Sequence, residues 1–361
     1  MNRIYNFSAG PAILPESVLE EASRGVLEIN GSGMSILEVS HRGKDYETIH
    51  AATRERLLRV MGLSSDIYTA LFIGGGASMQ FAMLPMNFLN QDETADYVHT
   101  GEWAIKAIKE AKRFGNIHTA GNSEDRNHSY IPDNLNLTPN AKYLHITTNN
   151  TIEGTEWDGP ESTNDVPLIA DASSDIISHL VDYSRYHLIY AGAQKNAGPA
   201  GVTLVIARKD YLDQANSDIP AILSYKTYAK ADSLYNTPPV FPIYVVGLVL
   251  KWIEEQGGLK VVDKRNREKA ALIYDALDAH PNVYDPAVTD KKDRSLMNIT
   301  FRIRIAELEN IFLEGAKARK MEGLKGHRNV GGFRASIYNA FPVEGCQALS
   351  DYLNYFAVKN T

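Results

Sequence analysis

The stretch "IYTALFIGGGASMQFAMLPMNFL", residues 67–89, joins an apolar run of strand length to a helical pattern through three consecutive glycines. The same order recurs in "TADYVHT" and "EWAIKAIKEAKRF", residues 94–100 and 102–114. Further strand-like runs follow in "VPLIA", "YHLIYA" and "GVTLVIA", residues 166–170, 186–191 and 201–207. This alternation predicts an α/β fold in which a largely parallel sheet is covered by helices on both faces.

The pattern changes after Gly257 and Gly258, where a charged helical segment begins. Beyond it, "LMNITFRI", "IFLEGAKARKMEGL" and "FRASIYNA" indicate a smaller α+β unit with an antiparallel sheet. We therefore expect a large α/β domain over residues 16–258 and a small C-terminal α+β domain over residues 259–361. Residues 1–15 are expected to pack on the small domain.

Composition and charge limit the function classes. The 361 residues are 44% hydrophobic and 22% charged, which is typical of a globular protein. A net charge of -7 gives no general attraction to nucleic acid or to an anionic membrane, so neither partner is expected and an anion site must be built locally. No secretory signal or membrane-helix pattern is recognised, and the lone Cys346 cannot form an internal disulfide. These features predict a cytoplasmic protein.

Three positions that follow strand-like runs carry unusual chemistry, and ligands in open α/β sheets bind beyond these strand ends. Gly74 to Gly76 and the following helix start can cradle a phosphate, or can be only a tight connection. Asp171 follows "VPLIA" and needs a cationic or N-H partner, or caps the next turn. Trp103 can cover a flat ligand ring, or can simply pack.

Lys195 is the fourth such position and the single charge in "YAGAQKNAGPAG", residues 190–201. A lysine among small apolar neighbours loses hydration, so its pKa falls and its neutral amine can form a Schiff base. The alternative is a surface lysine on a flexible glycine loop. A phosphate cradle, an aromatic cover, an acid and a Schiff-base lysine are together the parts that hold pyridoxal phosphate.

The chain resembles the class V pyridoxal-phosphate-dependent aminotransferases, in particular those that act on phosphoserine, over essentially its whole length. The resemblance is carried by "NFSAGPAILPE", "EVSHRGKDY", "FIGGGASMQF", "GEWAIKA", "NNTIEGTEW", "ADASSDI", "YAGAQKNAGPAG", "YNTPP" and "GHRNVGGFRASIYNA". It implies the aspartate-aminotransferase-like fold of type I, a homodimer with a shared active site, and pyridoxal 5'-phosphate as cofactor with no metal.

The resemblance also implies a set of cofactor contacts. Lys195 would carry the Schiff base, Asp171 would pair with the pyridine nitrogen, and Trp103 would stack on the ring. Thr151 would bind the phenolic oxygen. The phosphate would contact Gly76, Ala77, Ser173 and Gln194, together with the partner subunit's Asn236 and the partner subunit's Thr237. Some members of the family have an arginine where this chain has Ala77.

For the substrates, the resemblance implies that Arg334 holds the α-carboxylate and that His41, Arg42, His327 and Arg328 surround the distal anion. The expected substrates are L-glutamate, 3-phosphohydroxypyruvate and O-phosphoserine, with phosphohydroxythreonine of pyridoxine biosynthesis as a further substrate. The structural alternative for these basic groups is a solvated charged face.

Three other functions compete with this interpretation. An alanine-glyoxylate aminotransferase would have no use for the cluster of histidines and arginines. A cysteine desulfurase needs a mobile cysteine, whereas Cys346 lies in a helix-like stretch near the end of the sequence. A cofactor-responsive regulator would carry a nucleic-acid-binding domain, and no helix-turn-helix signal or basic tail is recognised.

Overall fold

The computed structural model describes residues 3–327 and 330–360. Its strands are β1 (Tyr5–Asn6), β2 (Tyr68–Ile73), β3 (Thr94–His99), β4 (Asn116–Asn122), β5 (Leu144–Thr147), β6 (Leu168–Asp171), β7 (Leu188–Gly192), β8 (Thr203–Arg208), β9 (Tyr284–Pro286), β10 (Asn298–Ile303), β11 (Met321–Glu322) and β12 (Phe333–Ser336). Its helices are α1 (Glu16–Leu27), α2 (Lys44–Val60), α3 (Gly76–Phe88), α4 (Glu102–Ala111), α5 (Lys209–Leu212), α6 (Tyr225–Lys230), α7 (Val240–Glu255), α8 (Leu259–Asp278), α9 (Leu308–Ala318) and α10 (Val343–Lys359).

The large sheet has the strand order β2-β8-β7-β6-β5-β3-β4 among the described residues. Its pairs are parallel except those of β8, which runs antiparallel to both β2 and β7. Neighbouring residues of a strand belong to hydrophobic clusters on opposite faces: Phe72 and Ile189 lie on one face, and Leu71 and Leu188 on the other. Both faces are therefore buried, as the apolar runs predict.

Helices cover the two faces of this sheet. The cluster on one face includes residues of α1, α2 and α7, such as Val18, Leu57 and Ile243. The cluster on the other face includes residues of α3 and α4, such as Phe81 and Ile108. The predicted α/β architecture is confirmed. None of the described helices is both long enough and apolar enough to cross a membrane.

The C-terminal part of the chain builds a second hydrophobic cluster. Strands β9, β10 and β12 form an antiparallel sheet with β10 in the centre, and its apolar residues pack with those of α8, α9 and α10. The N-terminal segment joins this cluster: β1 pairs with β11, and Phe7 and Ile13 are buried there. Gly257 and Gly258, both with positive φ, separate α7 from α8. A domain division at this point stays a prediction.

The direction of the strands decides where side chains can converge. Strands β3, β5, β6 and β7 run parallel, and β2 points the same way because it pairs antiparallel with β8. Their carboxyl ends therefore meet at one edge of the sheet. The segments that contain Gly76, Trp103, Thr151, Asp171 and Lys195 all follow or end these strands.

Candidate active site

A cleft opens at the carboxyl ends of the strands. It consists of two adjoining cavities of about 530 and 280 Å³. The two cavities share the lining residues Gly75, Gly76, Trp103, Thr151, Gln194 and Lys195. Asp171 and Ser173 line the smaller cavity, and His327 and Arg334 line the larger one. Most of the residues singled out in the sequence therefore meet in one place.

Lys195 lies in the turn that follows β7, between the fully buried Ala193 and Ala197. Its Nζ donates a hydrogen bond to Thr151 Oγ1 at 2.5 Å. Burial lowers the pKa of Lys195 to about 8, with Asp171 opposing and Arg334 reinforcing the shift. At pH 7 about one amine in ten is then neutral, against fewer than about one in a thousand for an ordinary lysine. The geometry favours a nucleophilic amine.

Asp171 is the last residue of β6 and is 4% exposed. Its Oδ1 accepts a hydrogen bond from the Ser173 backbone amide at 3.0 Å. Burial raises the pKa of Asp171, while the Ser173 hydrogen bonds and the Lys195 charge act in the opposite direction. Ser173 is itself fixed, because its Oγ accepts a hydrogen bond from the Gly192 amide at 3.1 Å. A ligand cation in the smaller cavity would find a preorganised carboxylate.

The glycine turn between β2 and α3 forms another wall of the cleft. Gly75 and Gly76 have φ values of 86° and 65°, a region that side chains disfavour. A Cβ at Gly76 would meet no atom within 4 Å, so the backbone there faces open space. Since α3 begins at Gly76, its unpaired backbone amides are available for an anion. Ala77 and Ser78 also line the cavity.

Trp103 is the second residue of α4, and its ring lies beside the amine of Lys195. The Nζ atom is 5.9 Å from the Trp103 ring centroid. The indole Nε1 is buried, and no hydrogen-bond partner for it is found among the described residues. The ring thus lines both cavities and can cover a flat ligand that reaches Lys195.

Arg334 enters the cleft from β12 of the small sheet. Its Nη1 donates a hydrogen bond to the Thr151 carbonyl oxygen at 3.2 Å. Its Nε is buried without a hydrogen-bond partner in the described part of the chain. Burial lowers the pKa of Arg334, and Tyr338 and Glu153 oppose that shift. Arg334 therefore presents a partly dehydrated guanidinium to the cleft. Arg328 lies outside the described residues.

The structure does not bring four of the expected residues to this cleft. His41, Arg42, Asn236 and Thr237 are absent from the described lining of either cavity. Arg42, Asn236 and Thr237 are exposed and His41 is half-buried.

The two segments that carry these four residues nevertheless lie side by side. Ile36 and Val39, just before His41, belong to a small hydrophobic cluster against which Leu234 and Val240 pack. Within one chain, then, these basic and polar groups lie on neighbouring segments and do not line the described cleft.

One wall of the cleft was missed in the sequence. Ala9, Gly10 and Pro11 line the larger cavity. The Ala12 amide donates a hydrogen bond to the Gln194 carbonyl oxygen at 2.9 Å, and the Tyr338 hydroxyl donates one to the Ala9 carbonyl oxygen at 2.8 Å. The signal was present, because "SAGPA" is as rich in small residues as the stretch around Lys195.

The family model described as aminotransferase class-V matches residues 4–349. The chain belongs to the class V aminotransferase family. A phosphoserine aminotransferase of Desulfosudis oleivorans is 54% identical to this class V aminotransferase over 360 residues, which are 99% of each chain. One of Bacillus subtilis is 49% identical over 362 residues and 100% of each chain.

A solved structure is similar to this class V aminotransferase throughout. The phosphoserine aminotransferase from Bacillus circulans subsp. alkalophilus superimposes with a TM-score of 0.97 at 51% sequence identity, and the match covers 100% of both chains. The family and fold predicted from the sequence are thereby confirmed.

Proposed function

We propose that this class V aminotransferase acts as a cytoplasmic phosphoserine aminotransferase in serine biosynthesis. It would transfer the amino group of L-glutamate to 3-phosphohydroxypyruvate, giving 2-oxoglutarate and O-phospho-L-serine. The observation that carries the proposal is the meeting of Lys195, Asp171 and Arg334 in one cleft of a chain whose full-length relatives are phosphoserine aminotransferases. Phosphohydroxythreonine is a proposed second product, because it too combines an α-amino acid with a distal phosphate.

The residues of the cleft fit pyridoxal phosphate. The open backbone at Gly76 and the amides that begin α3 suit its phosphate, Asp171 suits its pyridine nitrogen, and Lys195 suits its aldehyde carbon. Gln194 and Ser173 line the same cavity, and Thr151 lies within reach as the Lys195 partner. When bound, this cofactor supplies a ring that stabilises negative charge at the substrate Cα.

The phosphate corner differs from that of family members with an arginine at the position of Ala77. Ala77 offers a backbone amide but no cation. We propose that the helix start and the hydroxyl of Ser173 hold the phosphate on this side. The remaining contacts would come from the partner subunit's Asn236 and the partner subunit's Thr237.

The protein groups have separate tasks in this mechanism. Lys195 Nζ, when neutral, would accept the proton from the substrate Cα and return it two bonds away, on the far side of the amino nitrogen. The negative charge of Asp171 would hold a proton at the ring nitrogen, and Trp103 would cover one face of the ring. Arg334 binds the α-carboxylate, since its planar guanidinium offers two parallel donors.

The distal anion needs further cations, and His327 is the described residue of this group that lines the cleft. We propose that His41 and Arg42 reach the cleft of a second copy, together with Asn236 and Thr237. Leu37 is 62% exposed and Tyr235 is 46% exposed in these same two segments. These exposed apolar residues lie next to polar groups that do not line the cleft of their own chain. Such a surface fits a symmetric dimer interface.

Mixed dimers test this shared site. We expect subunits with Lys195→Ala and subunits with Arg42→Ala each to be inactive or weak alone. If Arg42 acts across the interface, mixing and reassociating equal amounts restores about one quarter of the parental activity, because half of the dimers are mixed and each has one complete site. If mixed dimers form but activity does not return, Arg42 does not contribute to the cleft of the partner subunit.

The substrate is tested by a half-reaction. The cofactor-loaded protein is mixed with L-phosphoserine and, separately, with L-alanine, and its visible absorbance is followed. Loss of the visible band with phosphoserine but not with alanine supports the proposal. Loss with alanine alone would instead support the alanine-glyoxylate type of activity. If the protein retains its cofactor but turns over neither amino acid, the alternative of a cofactor-responsive regulator would be favoured.

A further inference from the structure

Glu153 is a buried carboxylate that the sequence patterns did not single out. It is 7% exposed and lies two residues after Thr151. Its Oε1 accepts a hydrogen bond from the backbone amide of Glu102 at 2.9 Å. Its Oε2 is buried, and no hydrogen-bond partner for it is found in residues 3–327 and 330–360. A buried carboxylate with half of its acceptor capacity unused is costly and calls for a reason.

The helix that Glu153 contacts is the one that carries Trp103. α4 begins at Glu102, and its N-cap residue is Gly101, which has no side chain to cap the first turn. The first turn of a helix leaves backbone amides unpaired and favours a nearby negative charge, so a carboxylate from another segment can cap it. A Cβ at Gly101 would lie 2.6 Å from Glu153 Oε2, so the glycine makes room for the carboxylate.

The segment around Glu153 also connects the other groups of the cleft. Thr151 receives the Lys195 hydrogen bond on its side chain and the Arg334 hydrogen bond on its carbonyl oxygen. The Glu153 carbonyl oxygen accepts a hydrogen bond at 2.7 Å from Thr300 Oγ1, and Thr300 is paired with Arg334 across the small sheet. Glu153 is thus placed where α4, the turn at residues 151–153 (the Thr151 turn) and strand β12 with Arg334 meet.

We propose that Glu153 is a positioning residue that holds the first turn of α4 against the Thr151 turn and so fixes the Trp103 ring beside Lys195. The hydrogen bond to the Glu102 amide transmits this effect. Burial raises the pKa of Glu153 to about 7. The hydrogen bond from the Glu102 amide and the Arg334 charge oppose this increase, whereas the Glu102 side-chain charge adds to it. An uncharged carboxyl oxygen can still accept the amide hydrogen bond, so the positioning does not depend on ionisation.

Two variants distinguish the loss of the hydrogen bond between Glu153 and the Glu102 amide from the other effects of replacing Glu153. Glu153→Gln keeps an acceptor oxygen of the same length, whereas Glu153→Ala removes it. In cofactor-free protein, we expect hydrogen exchange at the Glu102 amide to be about 10-fold faster in Glu153→Ala and within about twofold of the parent in Glu153→Gln.

Protein loaded with pyridoxal phosphate allows a second measurement, the affinity and circular dichroism of the bound cofactor, and this measurement rests on the proposed function. We expect Glu153→Ala to bind pyridoxal phosphate about 10-fold more weakly and to show a smaller visible circular dichroism band, because the ring would lose its fixed cover. Glu153→Gln is expected to restore both. Altered exchange in protein that binds no pyridoxal phosphate would overturn the proposed function but leave the positioning role standing.

Asp293→Ala is the matched control. The Asp293 carboxylate is 5% exposed, accepts a hydrogen bond from the Ile131 amide at 2.9 Å and lies outside the described cleft lining. It should lower thermal stability without changing cofactor affinity or the dichroism band. The proposal fails if folded Glu153→Ala matches the parent in exchange at Glu102, or if folded Glu153→Gln is as impaired as Glu153→Ala.

Discussion

Replacing Thr151 by valine should lower the pKa of Lys195. Valine matches threonine in shape but cannot accept the 2.5 Å hydrogen bond from Lys195 Nζ. The backbone carbonyl that receives the Arg334 hydrogen bond stays in place, so the substitution removes one interaction. That interaction favours the protonated amine, because a charged donor makes the stronger hydrogen bond.

The size of the effect follows from the difference between the two protonation states. A hydrogen bond from a charged donor contributes about 1.5 to 3 kcal/mol, and one between neutral groups about 0.5 to 1.5 kcal/mol. The difference of about 1 to 1.5 kcal/mol corresponds to about one pKa unit. The pKa of Lys195, about 8 in the parent, should therefore fall to about 7 in Thr151→Val.

Competitive acetylation measures this directly in cofactor-free protein. Trace acetic anhydride labels only the neutral amine, so the labelling rate of the Lys195 peptide against pH gives its pKa. Thr203→Val is the control, because Thr203 Oγ1 is buried without a hydrogen-bond partner among the described residues. An unchanged or higher pKa in Thr151→Val would refute the reasoning.

Three further outcomes are expected. Asp171→Asn keeps an oxygen that can accept the Ser173 amide hydrogen bond but loses the negative charge. Transamination should therefore slow by roughly 10- to 150-fold, which corresponds to the loss of one charge-assisted contact. An unchanged kcat would show that Asp171 does not pair with the ring nitrogen of the cofactor. The lysine in Arg334→Lys cannot donate two parallel hydrogen bonds to a carboxylate, so KM for glutamate should rise by about 10-fold or more in steady-state assays. An unchanged thermal transition would show that the variant is folded like the parent. The two hydrogen bonds from Arg294 hold the pKa of Asp278 at about 2, so this pair stabilises the fold above about pH 4 and loses its contribution as pH falls towards 2. Asp278→Asn should lower Tm at pH 7 and converge with the parent in acid, and an equal deficit at both pH values would contradict the ion pair.

The centre of the site could be predicted from local sequence. The glycine turn follows β2, Asp171 ends β6 and Lys195 lies three residues after the end of β7, and parallel strands bring their carboxyl ends together whatever the loops do. A bulky ligand joined to Lys195 would also require small neighbours, and the sequence shows them as the alanines and glycines of residues 190–201.

Residues whose role depends on distant contacts could not be found in this way. Glu153 touches the amide of Glu102, 51 residues away, and no periodicity or spacing indicates that contact. His41 and Arg42 carry suitable charges, but sequence contains no information on whether a side chain serves its own cleft. Only the packing of their segment beside Leu234, away from the cleft, raises the question of a second copy.

The N-terminal segment has a consequence for how the molecule is made. Tyr5, Phe7 and Ala9 are synthesised long before their hydrogen-bond partners, which are the carbonyl oxygens of Lys320 and Glu322 and the hydroxyl of Tyr338. At about 5 to 20 residues per second, synthesis of the intervening chain takes roughly 15 to 60 seconds. Between the synthesis of Lys195 and that of Tyr338, roughly 7 to 30 seconds at the same rate, the hydrogen bond from Tyr338 to Ala9 cannot form, so one wall of the cleft beside Lys195 is not yet held in place. We therefore expect a newly made chain to bind a cofactor stably only after β12 and the segment up to Tyr338 have folded against the N-terminal segment.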